Sequence, residues 1–236
     1  MIRTTIKNER LLAHRTECLV LFCIEEKKPS GKLAEIDSKL KGVLSSSFKN
    51  KRFEGKLNQT LVLNVTKPMR ADHLLLVGLG KETEMTADKL RQAAGTAAKL
   101  AEKSKFKNIS FYIPADNSPK DIYTGLDQSG DDFSQTVVEG SLLSLYHFDE
   151  YKQPSKEKPS RISQIILLTQ TKSNVSSMRS SVGRGRKLVT AVVTSRDLIS
   201  EPSNTATPTY LAEKAKELAK SFGMTCKVLT SRDMEK

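Results

Sequence analysis

The amino-acid sequence predicts an α/β protein, a mostly parallel sheet with helices on both faces. Two observations predict it. Apolar runs of strand length recur at Cys18–Ile24, His73–Gly78, Asn108–Ile113 and Ile162–Leu168; runs of this kind read as strands buried on both sides. Segments with apolar residues at helical spacing lie between them, and that alternation implies βαβ units. No repeat at a solenoid period interrupts the pattern.

The elements follow in order. Ser30 is a candidate N-cap for one helix carrying Leu33, Ile36, Leu40, Val43 and Leu44. Thr60–Thr66 alternates, with Leu61, Leu63 and Val65 on one face of a strand. Thr86 opens a long helix to about Glu102, with Leu90, Ala93, Ala97 and Leu100 on one side. Asp88 sits in its first turn, where a negative charge suits the helix dipole. Residues 115–130 and 152–160 read as loops, and Asp131–Phe148 as a helix. Within it Gly140, Ser141 and Ser144 form a small-residue patch that permits close packing. Residues 173–200 read as a connector, rich in Ser, Arg and Gly up to Gly185 and helical only from about Leu188 to Ile199. Thr207-Pro208 opens the last helix, with Thr as N-cap and Pro where its missing N–H does no harm. Leu211, Ala215, Leu218, Ala219 and Phe222 are its expected buried face and Gly223 its end. Met224–Thr230 reads as a strand and 231–236 as the first turn of an unfinished helix. A segment below about 40 residues rarely forms a core alone, so that last apolar face is expected to need a partner beyond its own segment.

Composition narrows the class. The chain has 236 residues, 37% hydrophobic and 28% charged, which fits a soluble globular protein. No apolar stretch approaches the ~20 residues of a membrane span. The first residues carry no apolar core of a secretory signal, so a cytoplasmic location is expected. Cys18, Cys23 and Cys226 are sparse and odd in number, which argues for a reducing compartment and for small buried residues. Cys18 and Cys23, at an odd offset on one strand, face opposite sides, so no bridge joins them.

The net charge of +12 is uneven: residues 120–150 carry one basic and seven acidic residues (−6), residues 152–187 nine basic and one acidic (+8). The basic stretch is either a solvated linker or an anionic-partner surface such as DNA. It lacks the interleaved aromatic residues of a single-strand stacking platform.

No catalytic constellation is legible. Gly78-Leu79-Gly80-Lys81 follows a strand and precedes a helix, where glycines let a backbone approach an anion. Thr83 stands where the dinucleotide fingerprint needs its third Gly, so a tight strand-to-helix turn is the alternative. His14, His73 and His147 are scattered without zinc spacing, which leaves packing or surface roles. Asp131, Asp132, Asp149 and Glu150 are paired carboxylates; the first pair suits a helix start. No residue is assigned as catalytic, metal-binding or cofactor-binding.

Several segments resemble the leucyl (cytosol) aminopeptidase family. They are Leu76-Val77-Gly78-Leu79-Gly80-Lys81, Glu139 to Phe148 with Tyr151-Lys152, and Arg196 to Asn204 with Thr207-Pro208, found in family order over most of the chain. The resemblance implies a macro-like N-terminal domain (1–172), a linker helix and junction loop (173–204) and an incomplete start of the catalytic domain (205–236). It implies a parent enzyme with two divalent metals, zinc or manganese, that activate water against an N-terminal peptide bond. It also implies a hexamer, peptide substrates and, as in some bacterial relatives, possible DNA binding. A nucleotide such as ADP-ribose at the Gly78–Gly80 turn is a further expectation from fold analogy. The family's NTDAEGR metal signature is absent, and its catalytic Lys and Arg have no counterpart here. The chain alone is therefore expected to be inactive. Ser200 stands where the family often has Asn.

Overall fold

A computed structural model describes residues 2–114, 130–152 and 161–235, the side chains of 130–132 and 174 excepted. The expected loops at 115–130 and 152–160 fall almost wholly outside these residues, as do the side chains of Asp131 and Asp132. The described chain forms two units, Met1–Ala191 and Val192–Lys236.

The first unit is built on a six-stranded sheet of β1 (Arg3–Asn8), β2 (Thr16–Ile24), β3 (Thr60–Asn64), β4 (Ala71–Gly80), β5 (Asn108–Tyr112) and β6 (Gln164–Thr169). Their spatial order is β1-β6-β5-β2-β4-β3. Every neighbouring pair is parallel except β3 with β4. The expected α/β class with a mostly parallel sheet is what forms.

Side-chain alternation divides the core in two. Along β2, Cys18, Val20 and Phe22 enter one cluster and Leu19, Leu21 and Cys23 the other. Along β4, Leu75, Val77 and Leu79 join the first, Leu74 and Leu76 the second. The first cluster is roofed by α3 (Ala87–Lys103), α4 (Gly130–Ser144) and the early turns of α5 (Val175–Ser200). Phe22 stacks on Phe111 at 5.8 Å and meets Phe133 edge-on at 6.0 Å. The second cluster is roofed by α1 (Gly31–Lys39), α2 (Val43–Lys49) and the segment after β1, through Leu11.

Helix α3 begins where expected: Thr86 accepts from the Lys89 N–H. It packs on α4 through small residues. A Cβ on Gly140 would sit 2.1 Å from the Arg91 carbonyl oxygen, so only glycine permits this approach. Arg91 Nη2 donates to Glu139 at 2.8 Å beside the contact, and Gln135 Nε2 reaches the other carboxylate oxygen at 2.8 Å.

Several expectations are corrected. The single helix expected from Ser30 to Leu44 is two, broken at Lys41 and Gly42, both at positive φ. Buried Asp37 makes the break worthwhile, because its carboxylate accepts from the Leu44 N–H at 2.7 Å and from Ser45, capping α2. β1 has no counterpart in the sequence reading. It is an edge strand of mixed polarity, and its register with β6 supplies the order that its side chains do not announce. The Ser/Arg/Gly stretch is helical from Val175, and Met178, Ser181, Val182 and Gly185 are buried.

In the second unit α6 (Pro208–Phe222) starts as expected, Thr207 accepting from the Tyr210 N–H and Gly223 ending it. Of its expected buried face only Ala219 is buried; Phe222 is 64% exposed. Met224–Thr230 forms no strand, since no described strand pairs with it. A short α7 (Ser231–Met234) follows, with a Thr230–Asp233 capping box. No described helix is long and apolar enough to cross a membrane.

Substitution Gly140→Ala is expected to destabilise the first unit by about 2–4 kcal/mol through overpacking. One residue on, Ser141→Ala removes a buried hydroxyl without a hydrogen-bond partner and is expected to be neutral or stabilising by up to about 1 kcal/mol. Urea midpoints of the two variants check this, and a Gly140→Ala variant as stable as the parent would contradict the packing account.

Candidate functional site

The β1–β2 connection decides where polar groups gather. Both strands run the same way, so residues 9–15 must cross back over one face of the sheet. This crossover is short and carries His14, fully buried. His14 Nδ1 meets the Glu9 carboxylate, and its Nε2 lies 2.8 Å from Ser110 Oγ on β5. Ser110 Oγ donates to Thr16 Oγ1 at 2.9 Å, and Thr16 donates to the Cys18 carbonyl at 3.4 Å. Each group of this relay has a partner, which is the condition for burying it. The sequence of carboxylate, imidazole and hydroxyl has the geometry of an activated nucleophile. Its hydroxyl, however, is fully buried on a central strand and has no face open to a substrate. The relay holds the crossover down; it does not attack anything.

The other histidines sit in separate settings. His73 Nδ1 bonds the Glu17 carbonyl at 3.0 Å and its ring lies against Phe106. His147 Nε2 pairs with Glu102 at 3.0 Å on the surface. Asp149 pairs with Lys152 and Arg161, and these cations hold its carboxyl below the usual range. Among the described residues no group of three or more His, Cys, Asp or Glu could hold a metal ion.

The glycine turn is not a turn. Gly78 and Gly80 lie within β4. A Cβ on Gly78 would stand 2.0 Å from the Lys56 carbonyl oxygen. Gly78 N–H donates to Gln59 O at 2.8 Å, its carbonyl accepts from Asn58 N–H at 2.9 Å, and Gly80 N–H donates to Gly55 O at 2.9 Å. The chain's own 55–59 segment occupies the space that an anion would need.

The basic stretch at 152–187 is split. Residues 153–160 lie outside the described residues. Arg184 is spent on Gln135, Ser180 and Ser181.

A cleft of about 520 Å³ opens on the face that the crossover covers. The crossover itself forms one wall, Arg10 to Ala13. Lys32, Glu35, Ile36 and Lys39 form another, one stripe of α1 at helical spacing. Pro68, Arg70 and Gln170 complete it. The Arg70 N–H donates to Leu12 O at 3.1 Å and ties two walls together. Sequence reading missed this site. Its cations come from three segments, and only the Lys32/Lys39 spacing on α1 carries a local signal.

Burial pushes the Cys18 thiol up to about 12, with Glu17 adding to the effect, and raises Cys23 well above its ordinary value.

Comparison with known proteins places this architecture. The family model for the cytosol aminopeptidase family, N-terminal domain, matches residues 20–155. A probable cytosol aminopeptidase of Geotalea uraniireducens is 32% identical over 94% of this chain and 43% of its own length. One from a Geobacter species is 31% identical over 99% of this chain and 45% of its own. Among solved structures, a tomato leucine aminopeptidase mutant shares the fold at TM-score 0.79 and 20% identity, covering 100% of this chain and 46% of that one. The chain thus spans less than half the length of these relatives.

Two measurements check the site. His14→Ala is expected to cost about 3 kcal/mol in urea unfolding, because it strands buried hydroxyls. Native alkylation with iodoacetamide at neutral pH is expected to label Cys226 and to reach Cys18 and Cys23 only on unfolding, since the thiolate is the nucleophile. Prompt labelling of Cys18 in the folded chain would contradict its burial.

Proposed function

The chain belongs to the cytosol aminopeptidase family through its N-terminal domain, and on that premise we propose that it is the non-catalytic, assembly and regulatory portion of a metal-dependent leucyl aminopeptidase. The parent enzyme on this reading removes N-terminal amino acids from peptides. The observation that carries it is the family match over 20–155 together with a first unit whose buried carboxylate–imidazole–hydroxyl relay is used in holding its own crossover. The described residues do not fit a pair of divalent metals. The reading therefore assigns manganese or zinc, and the water activation such ions supply, to the part of the relatives' length that this chain does not span.

The second unit supports the same reading. Its helices are capped by Thr207, Gly223 and the Thr230–Asp233 box, yet Leu211, Phe222, Met224, Leu229 and Met234 are exposed. Regular elements with uncovered apolar residues are what the edge of a larger core presents. We assign residues 205–236 to the start of the catalytic domain, 173–204 to the linker helix and junction, and 1–172 to the macro-like domain. Hexamer assembly and a cytoplasmic location belong to this proposal.

The test is hydrolysis of leucine amide by the pure chain with manganese or zinc. No turnover above the metal blank is expected. Turnover that depends on metal and follows the chain through purification would overturn the assignment.

A further inference from the structure

The cleft beside the crossover is not used by the function proposed above, and its chemistry is specific. Arg10, Lys39 and Arg70 line it, and among the described residues none of the three has a carboxylate partner. The nearby acids are already engaged. Glu9 holds His14 and lies 3.8 Å from Lys7. Glu35 is bound to Lys32 at 2.6 Å across one turn of α1. The cleft therefore carries three cationic charges that nothing in its wall balances.

Its floor differs from its rim. Leu11 and Ile36 are each 2% exposed and lie at the base of the cleft, and the exposed Pro68 adds an apolar surface to its wall. Apolar lining beside several cations suits an anion with an uncharged organic body. Two guanidinium forks match the planar oxygen pairs of phosphate or carboxylate, and three unbalanced charges call for more than one negative charge. A volume near 520 Å³ falls within the roughly 300–1,000 Å³ of small-molecule sites. The concave form and the Glu35 carboxylate in the wall oppose a charged polymer laid across it.

We propose that this cleft binds a small phosphate-bearing organic anion of two or more negative charges, phosphate among Arg10, Lys39 and Arg70 and the organic body over Leu11, Ile36 and Pro68. The site has a mechanical neighbour. Its Arg10–Ala13 wall is the crossover that His14 anchors to Ser110, so a ligand bridging Arg10 and Arg70 fastens the same segment from outside and stabilises the first unit by linkage.

Calorimetric titration of the full chain tests it, with inorganic pyrophosphate, adenosine diphosphate and citrate as probes. Saturable binding of both phosphate probes is expected, tighter for the diphosphate ester, weaker for citrate and decreasing with added salt. The double variant Arg10→Ala/Arg70→Ala is expected to weaken both phosphate probes by about tenfold or more. Lys216→Ala, an exposed cation on α6, is expected to leave them unchanged. Because Arg10 and Arg70 are exposed, the variant is expected to keep the parent's circular dichroism. No saturable binding overturns the proposal, as does binding that the double variant does not weaken. Citrate bound as tightly as pyrophosphate overturns the choice of phosphate, and pyrophosphate bound as tightly as the ester overturns the role of the apolar floor.

Discussion

The constraint on which the structure depends is the position of β2 between β5 and β4 with both faces buried. A parallel strand in that place has no solvent side, so every residue from Cys18 to Cys23 is buried and the sheet must be covered above and below. One cover is α3, α4 and the start of α5; the other is α1, α2 and the crossover. Within the first cover α3 and α4 lie in close contact. Gly140 and the Arg91–Glu139 pair are how the sequence achieves it.

The second cover is thinner, and there the polar chemistry lies. A short crossover cannot bring a full apolar helix with it, so it covers β5 partly with a histidine. Burying an imidazole costs free energy unless its nitrogens are bonded, and Glu9, Ser110 and Thr16 meet that condition. The same segment leaves a cleft between itself and α1, rimmed by cations because the acids beside it are engaged elsewhere. Relay and cleft are both consequences of one connection between two parallel strands.

The glycines show how a motif changes meaning in three dimensions. Read as a string, Gly78-Leu79-Gly80 is a turn open to an anion. In the sheet, β4 continues through both glycines, and the backbone at 55–59 lies against them within bonding distance. The absence of a Cβ serves close approach of the chain to itself. Cations for an anion are found instead in the cleft beside the crossover, in three segments that no linear pattern links.

What the sequence by itself determined is what local physics controls. Apolar runs located β2, β4, β5 and β6, since a strand buried on both faces must be apolar throughout. Thr86, Thr207 and Gly223 placed helix ends, because capping involves residues within one turn. The small residues of α4 announced its close contact. Tertiary structure alone decided the rest. β1 is mixed in polarity and gains its order from β6. The break between α1 and α2 depends on Asp37 reaching forward seven residues to Leu44. Met224–Thr230 has strand-like composition but, among the described residues, no neighbouring strand to bond, and a strand exists only as part of a ladder. The His14 relay joins residues 96 positions apart and the cationic cleft draws on segments from Arg10 to Gln170, and only folding brings such groups within the few ångströms over which hydrogen bonds and charges act.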